Sequence, residues 1–224
     1  MPNLKNLSFL FFLIALSSNV LFSQNFLKTS GRNIINQNGD TIVLRGMGLG
    51  GWMVQEGYMM APGGFSGTQF QIRDNITDLI GEEETEKFYN KWLSNHVRKI
   101  DIDSMKAWGF NLVRVPIHYN LFTKPIEEET FPGSYTNIEK GYTLLDSLLE
   151  WCKVNEMYMM IDLHAAPGGQ GYNADISDYD SSKFSLWESV ANQDKTVELW
   201  KRLSQRYKNE EWVAGYDLIN EPNW

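Results

Sequence analysis

Gly109-Phe110-Asn111-Leu112-Val113-Arg114-Val115-Pro116-Ile117 is the stretch on which the fold turns. It is an apolar run broken by a single arginine, and Gly109 is the residue favoured just past a helix end. A strand that is apolar on both faces belongs in a parallel sheet covered on both sides. Two runs of the same kind follow, Tyr158-Met159-Met160-Ile161-Asp162-Leu163 and Val213 to Ile219, and a glycine-rich run, Gly46-Met47-Gly48-Leu49-Gly50-Gly51-Trp52, comes first. Helical patterns lie between them. One starts near Glu82 with the pairs Phe88/Tyr89, Trp92/Leu93 and His96/Val97, and a shorter one spans Ile102 to Trp108. A third, Tyr142 to Cys152, carries Leu144, Leu145, Leu148, Leu149 and Cys152 on one side, and Val197, Trp200, Leu203 and Tyr207 mark a fourth. Upstream, Asn33–Asn36 and Thr41–Arg45 flank Gln37-Asn38-Gly39-Asp40, whose Asn-Gly pair signals a β-hairpin. Alternating strands and helices predict an α/β fold, and an open doubly wound sheet and a barrel share this pattern.

Composition narrows the function classes. The 224 residues are 42% hydrophobic and 21% charged, which excludes a disordered, collagen-like or coiled-coil chain. A net charge of −8 argues against nucleic acid as partner. Aromatics make up 13%, which suits a stacking cleft for flat ligands. The lone cysteine, Cys152, excludes an intrachain disulfide. Residues 1–23 carry one charge, Lys5, before the apolar run Leu7–Leu16, which is too short to span a bilayer but suits the core of a signal peptide, with Ser23 at the cut. Residues 24–224 are then the mature part, exported without a membrane anchor, secreted or periplasmic, and expected to be monomeric.

Polar residues gather where the strands end, the position at which parallel sheets carry their chemistry. Arg114 shares a strand face with Leu112 and Pro116 and needs a carboxylate partner if buried. His164 shares a face with Met160 and Asp162, and a long loop, Ala165-Ala166-Pro167-Gly168-Gly169-Gln170-Gly171, lies behind it. His118 points either into the same mouth or into loop packing, and His96 reads as core. Asn220 and Glu221 follow the last strand, and Pro222 predicts an extended backbone at Glu221.

Gly46, Gly48 and Gly51 spell a dinucleotide-binding pattern, but the residues after Trp52 read as loop where that motif must open a helix. His96, His118, His164 and Cys152 show no close ligand pairing, so neither zinc nor any other cofactor is expected. A metal-dependent hydrolase built on His118, His164 and Asp162 stands as a minor alternative.

Together these segments resemble the front half of a glycoside hydrolase family 5 enzyme. Leu44–Trp52 with Glu56, Gly109–Ile117, Ile161–Gly168 and Leu218–Pro222 carry the likeness, in the family's order. Gly50-Gly51-Trp52 with Glu56, and Asp162-Leu163-His164 with Ala166-Pro167-Gly168, resemble its exo-β-1,3-glucanase branch. The resemblance implies a (β/α)8 TIM barrel, of which this chain holds about four βα units after the N-terminal hairpin. It also implies a retaining glycosidase acting on β-linked oligo- or polysaccharides.

Carried over by the resemblance, Glu221 is the general acid/base and Asn220 binds the sugar 2-hydroxyl. Arg114 stands beside the nucleophile, His164 lines the same subsite and Glu56 holds glucose hydroxyls. His118 and Ala165 depart from that branch, where small residues are usual at both positions. The nucleophile is expected on a seventh strand, so the chain is expected to be a fragment, and Asp162, Glu188 and Asp217 are read as structural. A non-catalytic glycan-binding relic, or an endo-β-1,4-glucanase or mannanase specificity, are the alternatives.

Overall fold

The computed structural model describes residues 26–60 and 67–224. The expected signal peptide over residues 1–23 lies outside them.

Residues up to Ile42 belong to one unit and Val43–Trp224 to another. In the first, β1 (Lys28–Ser30) and β2 (Asn33–Ile35) pair antiparallel, with Gly31 taking the turn at φ +59°. The hairpin is therefore present, but its ladder closes one turn earlier than the sequence suggests. The Asn38-Gly39 turn is closed by Asn36 and Asp40, and beyond it the arms meet at an isolated bridge, Ile35 to Thr41, and a bond from Ile42 N–H to the Ile34 carbonyl. Its second arm goes no further because Arg45 and Val43 are engaged elsewhere. Asn111 accepts from Arg45 N–H at 2.7 Å and donates to the Val43 carbonyl at 2.9 Å.

The second unit is a four-stranded sheet of β3 (Gly46–Gly48), β4 (Leu112–His118), β5 (Tyr158–Ala165) and β6 (Val213–Asp217). All neighbours are parallel and lie in chain order. A doubly wound sheet reverses its order at a switch point and a (β/α) barrel does not. The helices are α1 (Gln69–Ile80), α2 (Glu82–Asn95), α3 (Lys99–Ala107), α4 (Glu139–Val154), the short α5 (Ala174–Ser177) and α6 (Val190–Tyr207).

The period of two along each strand sorts the chemistry. Val113, Val115 and Ile117 of β4 and Met159, Ile161 and Leu163 of β5 are buried in one core with Leu145, Leu148 and Cys152 of α4 and Leu199 and Leu203 of α6. Each such side chain contributes ~1.5–3 kcal/mol by leaving water. Arg114, Asp162 and His164 fall on the alternate positions and face away from that core.

Three elements differ from the sequence reading. The first strand stops at Gly48, because the chain turns at Gly50-Gly51, with Gly51 at φ +75°, and rejoins β4 only where Met53 bridges Ile117. Helix α1 was not anticipated, although its start is written in the chain: Thr68 accepts from Gln71 N–H and the Gln71 side chain accepts from Thr68 N–H, a reciprocal cap. His96 is exposed instead of core, stacked on Trp92 with ring centroids 4.6 Å apart.

Candidate functional site

The C-terminal ends of β4, β5 and β6 bring one polar cluster together. Register places Arg114 beside Met160 and Asp162 beside Asp217, so a guanidinium on β4 leans along the sheet to reach carboxylates of β5 and β6. Arg114 Nη2 lies 3.0 Å from Asp162 Oδ2, 3.0 Å from Asp217 Oδ2 and 2.9 Å from Asn220 Oδ1. The carboxylate partner expected for this partly buried arginine is thus two aspartates. Both were read as structural from sequence, and both stand in ion pairs with Arg114, while Glu188 closes a local turn with Ser185.

His164 sits between two acids. Its Nδ1 is 2.7 Å from Asp162 Oδ2 and its Nε2 is 3.1 Å from Glu56 Oε1. Burial alone would lower its pKa, but the bonds and charges of Asp162 and Glu56 outweigh it and raise the value to about 9. Carboxylates on both ring nitrogens mean that both nitrogens donate, so His164 is an imidazolium at neutral pH. Full burial pushes the Asp162 carboxyl up, and His164 and Arg114 pull it back. With His164 donating, the Asn220 Nδ2 that lies 3.3 Å from its Nε2 has no acceptor there.

Asn220 is buried and held at its main-chain groups and at Oδ1. Its N–H donates to the Leu163 carbonyl at 3.0 Å, and its own carbonyl accepts from Gln170 Nε2 at 2.9 Å. Glu221 comes next and is exposed, and its carboxylate makes no hydrogen bond among the described residues. Its backbone lies at φ +43°, not in the extended region expected from Pro222. Proline excludes the right-handed helix at the preceding residue. The tight return from Asn220 to Asn223, which pairs with Gly171, selects the left-handed region instead.

Beside this loop Tyr172 and Trp224 stack with ring centroids 4.5 Å apart, and Tyr179 meets Trp224 edge-on. Tyr58 stands close enough to Glu56 and Glu221 that burial and both carboxylates raise its pKa. Sequence reasoning singled out none of these aromatics. The only signal for them was their nearness in the chain to Glu56, Glu221 and the loop behind His164.

His118 is not part of the cluster. It is buried, its Nδ1 accepts from Asn120 N–H at 3.1 Å, and its Nε2 donates to Asp178 at 2.8 Å. With Phe70, Arg73, Lys124 and Asp178 it lines a separate cavity of about 560 Å³. Among the described residues no group of histidines, cysteines and acids is arranged to hold a metal ion. No helix among them is long and apolar enough to cross a membrane.

The family described as Cellulase (glycosyl hydrolase family 5) matches residues 66–224. A beta-xylosidase of Phanerodontia chrysosporium is 35% identical over 88% of this chain and 39% of its own length. A glucan 1,3-beta-glucosidase of Candida oleophila is 30% identical over 80% of this chain and 42% of its own. The chain thus spans about two fifths of the length of these relatives. The crystal structure of a rutinosidase from Aspergillus niger superposes with a TM-score of 0.61 at 18% identity, over 79% of this chain and 48% of that one, which is a likeness of fold. The fold is the first half of a (β/α)8 barrel with an N-terminal hairpin.

Proposed function

The chain belongs to glycosyl hydrolase family 5, and from that membership we propose that it forms the acid/base half of a secreted, retaining β-glycosidase. The substrate class is a β-linked glucan or related oligosaccharide, in keeping with relatives named for β-glucoside and β-xyloside cleavage. One observation carries the reading. Glu221 follows Asn220 at the mouth of the sheet, unpaired, beside a cluster that holds every neighbouring acid in an ion pair.

A retaining glycosidase needs two carboxyls ~5–5.5 Å apart, one to protonate the leaving oxygen and one to attack the anomeric carbon. Glu221 is the group free to give a proton and later to take one from water. Asp162 and Asp217 share Arg114, and Asp162 and Glu56 share His164, so each of these acids has one oxygen held by a cation, and in this reading they serve to fix the cluster. The nucleophile in this reading stands on a later strand of the complete barrel. Asn220 offers its Nδ2 protons to a sugar hydroxyl, and Glu56 accepts from another. Near Glu221 in the chain, Tyr172 and Trp224 stack on each other, and in this reading they supply aromatic surface against which a leaving sugar could rest.

The test is Glu221→Gln in the full-length enzyme, read on two substrates. An amide cannot supply the proton, so a glucosyl leaving group should lose ~10²–10⁴ in kcat/KM. A dinitrophenyl glycoside needs little protonation, so its first step should be nearly spared and the covalent intermediate should accumulate. Azide needs no base and should release that intermediate as the β-glycosyl azide. Equal slowing of both substrates with no response to azide would make Glu221 a structural carboxylate.

A further inference from the structure

We propose that Gln170 is a positioning residue for the Glu221 carboxyl, acting through the backbone on both sides of it. The proposal rests on reading Glu221 as the acid/base. Gln170 is fully buried, and its side chain spends every donor on main-chain oxygen. Nε2 donates to the His164 carbonyl at 2.7 Å and to the Asn220 carbonyl at 2.9 Å, while Oε1 accepts from Ala166 N–H at 3.1 Å. Its main-chain carbonyl accepts from Asn223 N–H at 3.3 Å and from Trp187 Nε1 at 2.9 Å. The residue before Glu221 and the second residue after it are therefore both tied to Gln170.

That arrangement answers a question the site raises. Glu221 is a non-glycine residue at φ +43°, a conformation that persists only where its surroundings over-determine it. Its own side chain makes no bond that would do so. The over-determination comes from Asn220 O and Asn223 N, both held by a residue that is anchored in turn at the C-terminal end of β5, by His164 and by Ala166 just past it. Gln170 thus couples the loop bearing the proton donor to the strand bearing the cationic His164. A donor that must lie within hydrogen-bond reach of a glycosidic oxygen loses its effect when displaced by an ångström, a change worth ~10²-fold in favourable cases.

The experiment uses the full-length enzyme with Gln170→Met, which keeps the side-chain shape and removes all three bonds, and Glu221→Gln as reference. If Gln170 positions the acid, Gln170→Met lowers kcat/KM for a disaccharide by ~10²-fold while changing that for the dinitrophenyl glycoside by no more than about threefold. Equal loss on both substrates, or loss on neither, overturns the proposal, because a residue that only holds the fold together scales both alike. If Gln170→Met does not fold, Gln170→Glu is read against pH. Protonated, it regains one donor, so its discrimination between the substrates, relative to wild type, should shrink as pH falls, and a flat ratio overturns the proposal. Should Glu221→Gln itself show no leaving-group dependence, the acid/base reading is what fails. If it discriminates and Gln170→Met does not, only the positioning role fails.

Discussion

Asp162 Oδ2 lies 2.7 Å from His164 Nδ1, two residues along the same strand, and both side chains are buried. A short cation–carboxylate bond of this kind, taken out of water, is strong only because each partner has further neighbours: Arg114 on the aspartate and Glu56 on the histidine. The pH dependence of the fold follows from it.

His164 titrates at about 9, above its ordinary 6.5, so its charge-linked contribution to stability is complete below about 6.5. That contribution disappears as pH rises through about 9. We expect the thermal midpoint of the wild type to fall across this window and that of His164→Gln to fall less, read by differential scanning calorimetry between pH 6 and 10. Parallel curves for the two proteins would count against a charged His164.

Arg114→Met removes the cation shared by Asp162 and Asp217. Asp162 is fully buried and Arg114 is a third exposed, so the loss belongs at the low end for a broken buried pair, ~3 kcal/mol. Denaturant unfolding measures it. Adding Asp162→Leu should recover part of the loss, since the fully buried carboxylate is then gone and only the partly exposed Asp217 is left without the cation.

Lys195 and Glu129 form a second buried pair, away from the site. Lys195 also donates to the Lys124 carbonyl at 2.7 Å, and Glu129 accepts from Thr136 N–H at 2.9 Å, so the pair pins the 124–136 loop to α6. Burial alone would raise the Glu129 pKa, but Lys195 and Thr136 outweigh it and hold it down at about 2. A depressed carboxyl stabilises above its ordinary value of 4.5 and stops doing so as pH falls through about 2. Lys195→Met should cost ~3–5 kcal/mol at neutral pH. Its gap to wild type should narrow as the solution is acidified from pH 4.5 to 2, followed by circular dichroism.

Gly168→Ala tests the loop behind His164. Gly168 sits at φ +81°, and an added Cβ would come within 2.8 Å of the Phe184 carbonyl and 2.9 Å of Leu186 N, both backbone. Neither neighbour can yield cheaply, so the substitution should destabilise by more than the ~1 kcal/mol that a glycine-to-alanine change gains where the backbone tolerates it. A variant with wild-type stability would mean that the loop shifts freely.

Much of this was legible in the chain. Leu112–His118 and Tyr158–Ala165 are strands because their apolar residues run unbroken, and their polar residues emerge on one face because side chains alternate. Arg114, His164, Asn220 and Glu221 stood out as costly groups placed where strands end. Helix α1 escaped notice because its signal is a local cap rather than a long apolar stripe. Likewise the position of His96 on a helical pattern gives no sign of whether anything covers that face.

By itself the sequence determined the alternation of strands and helices, the face from which Arg114 and His164 emerge, and the family resemblance. These depend on local periodicity and residue order. Tertiary structure alone decided which acids the cations choose, that His118 turns to Asp178, and that Gln170 ties Asn220 to His164 across 56 residues of chain. The physical reason is one of range. Hydrogen bonds and ion pairs form between groups within about 3 Å whatever their separation in sequence. Only the register of β4, β5 and β6 brings residues 114, 162, 164, 217 and 220 within that distance.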